Sequence, residues 1–288
     1  MIKDVILNLE RNKSRDCVRD YAITVARTFD AHLAGVAFAD GANIPLGAFG
    51  GGANIPVFIV LGQMSLGLPP DVIADILAEN EEAARSAIQR FEAAVKGSLL
   101  SVEHRLVEVP ASFSEMARRY DLSVVMQSDN KNGVNNDILI EATLFESGRP
   151  LIVVPYIQKE GMNLDRIVCC WDGSRAAARA INDALPLLQK ARAVELFIVA
   201  NEKTGNGREI RGVAIGSHLA RHGIKVEVVT LPAADIDVAN VILSRVADCS
   251  ASMIVMGGYG HSRFREFILG GATRGVLTTM TVPVFISH

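Results

Sequence analysis

At 288 residues and a formal charge of −3, the chain is too close to neutral for a broad electrostatic argument for nucleic acid. Its 49% hydrophobic and 6% aromatic content, rich in Ala, Val, Ile and Leu, favours α/β layers over a β-sandwich. No apolar run reaches the roughly 18 residues of a membrane span, and Met1-Ile2-Lys3-Asp4-Val5 enters a strand-like run without the pattern of a secretory signal.

The length suits two domains of about 140 residues each, either large enough to bury its own core. Cys17, Cys169, Cys170 and Cys249 lack metal-type spacing and read as buried, reduced thiols of a cytoplasmic protein. Cys169 and Cys170 are neighbours on an expected strand and should face opposite sides of it.

Lys3–Leu9 (KDVILNL) reads as a buried strand. Ser14 stands where the next helix needs a cap, and Cys17, Val18, Tyr21, Ala22, Val25, Ala26 and Phe29 fall three and four apart. Leu33–Phe38 is the second strand. From Asp71 a long amphipathic helix carries Ile73, Ile76, Leu77, Ala84, Ile88, Phe91 and Val95 on one face, with Gly97 as its stop. Strand Val102–Val109, helix Phe113–Tyr120 and strands Leu122–Met126 and Leu151–Val154 continue the alternation. Between the second strand and the long helix lies Gly41–Pro70, roughly thirty residues where a few are usual. Its apolar members Ile55, Val57, Phe58, Ile59, Val60 and Leu61 should pack against this chain or a second subunit, or form a lid or membrane-touching loop.

The second half repeats the order. Strand Arg166–Trp171 runs into Asp172-Gly173-Ser174 and an alanine-rich helix that Pro186 should shorten or kink. Strand Glu195–Val199, helix Arg208–His222 stopped by Gly223, strand Lys225–Thr230, helix Asp237–Val246 with an acidic start, and strands Met253–Met256 and Val282–Ser287 follow. Val124-Val125-Met126-Gln127 aligns with Ile254-Val255-Met256-Gly257, and Pro150–Val153 with Pro283–Ile286, which indicates duplication. Repeated βα units imply two mainly parallel sheets with helices on both faces. The division is placed near residue 157, giving units 1–157 and 158–288.

The most informative stretch follows Met253–Met256. The strand breaks into Gly257-Gly258-Tyr259-Gly260-His261-Ser262, and Gly270-Gly271 open a segment with Ala272, Val276, Leu277 and Met280 at helical spacing. Backbone without a Cβ can approach a ligand closely. A strand, a glycine loop and a helix N-terminus aim N–H groups and the helix dipole at one spot, usually filled by phosphate. Ser262 and Thr273 are candidate donors to it, His261 is within reach by position, and Arg263 adds positive potential.

Gly257, two residues, Gly260, nine residues, then Gly270 resembles the G-x2-G-x9-G-[S/T] nucleotide loop of the universal stress protein family. The family's Ser or Thr after the third glycine is Gly271 here, a departure that removes one side-chain contact and leaves the backbone cradle of Gly270, Gly271 and Ala272. Thr273 matches a hydroxyl-bearing position of the family's helix start. Trp171-Asp172-Gly173-Ser174 resembles the family's V-D-G-S, whose Asp helps hold adenosine; the same residues also suit a turn or helix cap. The resemblance further implies Val199 against adenine and Met256 beneath the nucleotide, two positions that equally suit core packing. It implies a five-stranded doubly wound sheet of order 3-2-1-4-5 in each half, with ligands at the reversal between the strands ending at Asp172 and Gly257. The last strands of the halves are expected to pair, so that one chain mimics a dimer, with a homodimer of whole chains as a further association.

ATP, with Mg²⁺ on its phosphates, is the ligand that this resemblance implies, and a stress-response sensing or regulatory module in the cytoplasm is the implied role. The first half has Asn8-Leu9 where Asp172 lies, Gln127 to Gly133 where the glycine loop lies, and Glu141-Ala142 in place of Gly270-Gly271. A carboxylate at a helix start repels phosphate, so no nucleotide is expected there. No acid–base pair and no Walker-type loop is visible. Two rival readings are a slow ATPase or nucleotidyl transferase, and an interaction protein acting through 41–70.

Overall fold

The central apolar runs become strands because each is buried on both sides by helices drawn from the segments between them, whereas the edge strands Val102–Val107 and Val226–Pro232 are largely exposed. A computed structural model describes residues 1–12, 16–39, 44–45, 54–55, 70–107, 112–129, 132, 134–200, 212–232, 237–258 and 271–288. In its first half, β1 (Asp4–Asn8), α1 (Cys17–Phe29), β2 (His32–Phe38), α2 (Pro70–Val95), β5 (Val102–Val107), α3 (Phe113–Ala117), β6 (Leu122–Met126), α4 (Asp137–Glu146) and β7 (Leu151–Val154) follow in order. Two short strands, β3 (Ile44–Pro45) and β4 (Asn54–Ile55), pair antiparallel as a separate ribbon. The rest of the 41–69 insertion lies outside the described residues.

The second half contains β8 (Arg166–Cys170), α5 (Arg175–Asp183), α6 (Leu185–Leu188), β9 (Ala193–Ala200), α7 (Gly212–Arg221), β10 (Val226–Pro232), α8 (Val238–Asp248), β11 (Met253–Gly257), α9 (Gly271–Thr279) and β12 (Val284–Ser287). Ten strands form one sheet in the order β10-β9-β8-β11-β12-β7-β6-β1-β2-β5. Counted within its own half, each set of five runs 3-2-1-4-5, and each half is doubly wound. Pairing within each half is parallel. The halves join through β12 and β7, which pair antiparallel with Phe285 opposite Ile152. Both faces carry cores that run through the two halves. One packs α1, α2, α5, α6 and α7 against the sheet, through residues such as Phe91, Ile181 and Leu219. The other packs α3, α4, α8 and α9 through Phe113, Ile140, Ile242 and Leu277. Cys169 joins the first core and Cys170 the second, as neighbours on a strand must.

Several local features follow from single residues. Pro186 falls in the first turn of α6, and the helix breaks at Ala184. Asp237 caps α8 by accepting from Ala239 N–H at 3.1 Å. Ser14 lies outside the described residues; Asp16 precedes α1 and engages Arg19 and Arg90 instead of capping. The helix expected over 113–120 ends at Ala117, because Arg119 and Tyr120 donate back three residues, to Met116 O and Ala117 O, and tighten the turn. The segment after β7 is tied to α1, with Met162 N–H donating to Thr24 Oγ1 at 2.7 Å.

One charged pair sits inside this framework. Glu195 on β9 is fully buried and accepts from Arg245 Nε and Nη2 of α8 at 2.8 and 2.7 Å, with Arg166 Nη1 at 3.7 Å. Removing one partner of such a pair leaves a buried charge uncompensated, at a cost of about 3–5 kcal/mol. Arg166 offsets part of that here, so Arg245→Met should lower unfolding free energy by about 3 kcal/mol in urea titration; an unchanged midpoint and slope would show that the pair contributes nothing net.

Candidate functional site

In a doubly wound sheet, loops from neighbouring strands leave in opposite directions at the reversal and open a crevice beyond the strand ends. In the second half that reversal lies between β8 and β11, which pair through Val168 and Ile254. Asp172 stands exposed two residues beyond β8. Its Oδ1 accepts from Ser174 N–H at 2.9 Å, and Ser174 Oγ accepts from Ala177 N–H at 3.1 Å, capping α5. The turn reading is therefore correct for this residue. An ionised carboxylate has about four lone-pair positions, so one such bond leaves capacity for a ligand.

The described glycines divide by what surrounds them. A Cβ on Gly257 would stand 2.5 Å from both Ala176 C and Ala177 N, so this glycine lets β11 approach the first turn of α5. A Cβ on Gly258 would stand 2.6 Å from Leu144 Cδ2. At Gly271, the first residue of α9, a Cβ would meet no described residue within 4 Å. Packing among the described residues thus explains the first two and not the third, which stands at a helix N-terminus. A helix N-terminus is where backbone N–H groups can cradle an anion.

The other expected residues distribute unevenly. Met256 is buried in the second core and Val199 half-buried against it at the end of β9. Ala272 is half-buried, and Thr273 is only 4% exposed, so this hydroxyl sits within the first turn of α9 rather than on its surface. Gly260, His261, Ser262, Arg263 and Gly270 lie outside the described residues. Cys170, at the end of β8, has its thiol pushed up to about 12 by burial, with smaller pushes from the Asp172 and Glu195 carboxylates. It is protonated at neutral pH and unsuited to act as a nucleophile. Among the described residues, no group of three or more His, Cys, Asp or Glu side chains could hold a metal ion.

The first half shows what closed the same place. Leu9 N–H donates to Val36 O at 2.8 Å as Trp171 N–H donates to Phe197 O at 2.9 Å. Glu10, not Asn8 or Leu9, is thereby the counterpart of Asp172. Its Oε1 accepts from Asn136 Nδ2 at 3.1 Å. Gln127 N–H donates to Val154 O as Gly258 N–H donates to Ser287 O, both at 2.8 Å, so Gln127 matches Gly258, one residue later than the sequence alignment gives. Helix α4 starts at Asp137, four residues before Glu141, and Asp137 supplies the carboxylate at the helix start. Ser128 Oγ donates to Asp137 Oδ1 and accepts from Asn136 N–H. Asp129 and Val134 exchange both backbone bonds. Side chains of this loop occupy the donors that a phosphate would need.

The sequence profile of the universal stress protein family matches residues 163–288. That match lies wholly within the second half of the chain. No protein of curated function matches the sequence. The fold of the whole chain is similar to a universal stress protein from Archaeoglobus fulgidus, with TM-score 0.67 and 17% identity over 99% of this chain and 96% of that one. A proposed universal stress protein from Pseudomonas aeruginosa aligns with TM-score 0.61 and 12% identity over 99% and 93%. At these identities the likeness is one of fold, and it extends the universal stress protein architecture to the first half.

Two outcomes follow from the site's packing. Gly257→Ala should destabilise the protein by about 1–3 kcal/mol, because backbone must move, whereas Gly271→Ala should alter stability by no more than about 0.5 kcal/mol. Urea unfolding checks both, and equal costs would contradict the division. Alkylation of native protein at pH 8 should spare Cys169 and Cys170, whose thiols are raised by burial; rapid modification of either, read by peptide mass, would contradict their placement.

Proposed function

We propose that this chain is a universal stress protein whose second half binds ATP in the crevice between the ends of β8 and β11, and whose first half binds none. The observation that carries this is Gly271. Among the described residues its missing side chain has no packing cause, and it heads the helix that follows β11. In this reading the amides of Gly271, Ala272 and Thr273 take the phosphates, together with Gly260, His261, Ser262 and Gly270. Asp172 holds the adenosine end, Val199 lies beside adenine and Met256 beneath it. Mg²⁺ rides on the phosphates rather than on a protein cage.

The role that fits is a cytoplasmic stress-response module whose nucleotide state is sensed or regulated. Residues 1–157 serve as scaffold and pseudo-partner, and 158–288 as the nucleotide-binding unit. No helix among the described residues is long and apolar enough to cross a membrane. Among the described residues the crevice pairs no acid with a base, and a thiol held protonated stands at its floor. Binding alone lowers no barrier, so retained ATP rather than turnover is expected.

Native mass spectrometry of freshly purified protein should show one adenine nucleotide per chain. Asp172→Ala should weaken ATP binding about tenfold, or roughly 1.4 kcal/mol, and Gly271→Val should abolish it without unfolding the protein. A chain that neither retains nor binds ATP, or that carries two nucleotides, would contradict the reading.

A further inference from the structure

We infer that α4 of the first half clamps the stem of the nucleotide loop in the second half, so that the site is completed by residues from the half that lacks one; this rests on the ATP reading above. Gly258 is the residue by which the chain leaves β11, and it is held on three sides. Its N–H donates to Ser287 O at 2.8 Å. Its carbonyl accepts from His288 Nδ1 at 2.7 Å. Its Cα face abuts Leu144, where a Cβ would come within 2.6 Å of Cδ2. The His288 ring is itself braced edge-on by Phe145, with centroids 5.0 Å apart and planes at 76°. Two of the three restraints therefore trace to Leu144 and Phe145 of α4.

The far end of the site helix is pinned from the same half. Gln127, 1% exposed, donates through Nε2 to Leu277 O and Thr278 O at 2.8 and 3.1 Å. These are last-turn carbonyls of α9, which lack helical partners. The two contacts are related by the internal near-symmetry of the chain. Gln127 matches Gly258, and Leu144 precedes β7 by the same seven residues by which Leu277 precedes β12. In one direction a glutamine reaches across and makes two hydrogen bonds. In the other, a glycine leaves a gap that Leu144 fills. This asymmetry keeps the loop stem free of a side chain while the first half fixes its position. Leu144, Phe145 and Gln127 are positioning residues, since none of them belongs to the crevice.

The test is ATP titration by calorimetry on the full chain, comparing wild type with Phe145→Ala, Gly258→Ala and the double variant Leu144→Ala/Gly258→Ala. Phe145→Ala and Gly258→Ala should each weaken ATP by about tenfold, or roughly 1.4 kcal/mol. The double variant should recover most of the loss caused by Gly258→Ala, because the truncated leucine leaves room for the new methyl. Amide hydrogen exchange without nucleotide supplies a second readout: Phe145→Ala should speed exchange at Gly258 and leave β1 and β8 unchanged. Wild type that binds ATP alongside variants within twofold of it would overturn the clamp and leave the ATP reading intact. Wild type that binds no ATP would remove the ATP reading, and unchanged exchange at Gly258 in Phe145→Ala would then remove the clamp as well.

Discussion

Three residue pairs, Val284 with Val153, Phe285 with Ile152 and Ile286 with Leu151, bring β12 and β7 together antiparallel at the middle of the ten-stranded sheet. Without that seam each half would present an open, largely apolar edge strand, a ready template for aggregation. With it, the helices on each face pack against a surface shared by both halves, and two continuous cores replace four smaller ones. The seam also fixes where one half meets the other.

That placement has a chemical consequence. The seam sets β6 and β11 two strands to either side of the joint, so each sends its carboxyl end toward the last helix of the opposite half. The first half uses Gln127 there and ties down α9. The second uses Gly258 and is tied down by α4. Near-symmetric scaffolds thus carry unlike ends. One loop is closed by Glu10, Ser128, Asn136 and Asp137 on its own hydrogen bonds. The other half has a helix start at Gly271 with no described residue within 4 Å of a Cβ placed there. The universal stress protein fold accounts for the frame, and side-chain chemistry makes the two strand ends unlike.

The frame was legible in the sequence because apolar runs, glycine stops and Pro186 each impose a local outcome that packing does not overturn. Gly97 and Gly223 do adopt positive φ just beyond their helices, at 76° and 77°, as stop residues should. Register was harder. Leu122–Met126 is buried throughout, and Met253–Gly257 nearly so, so no polar alternation marks which residue faces which. The alignment of the halves consequently slipped by one residue at Gln127 and missed Glu10. The reason for Gly257 was also hidden, since the backbone of Ala176 and Ala177 that demands it is distant in sequence. Gly271, by contrast, is legible as a helix-start glycine, and the structure adds that no described residue lies within 4 Å of a Cβ placed there.

The most direct test of the central claim is a crystal structure of the full chain grown with ATP and Mg²⁺. The account predicts phosphates against the amides that begin α9, adenosine beside Asp172, and no nucleotide between Glu10 and Ser128. Nucleotide lodged in the first half, or a second-half crevice left without it at saturating ATP, would contradict it.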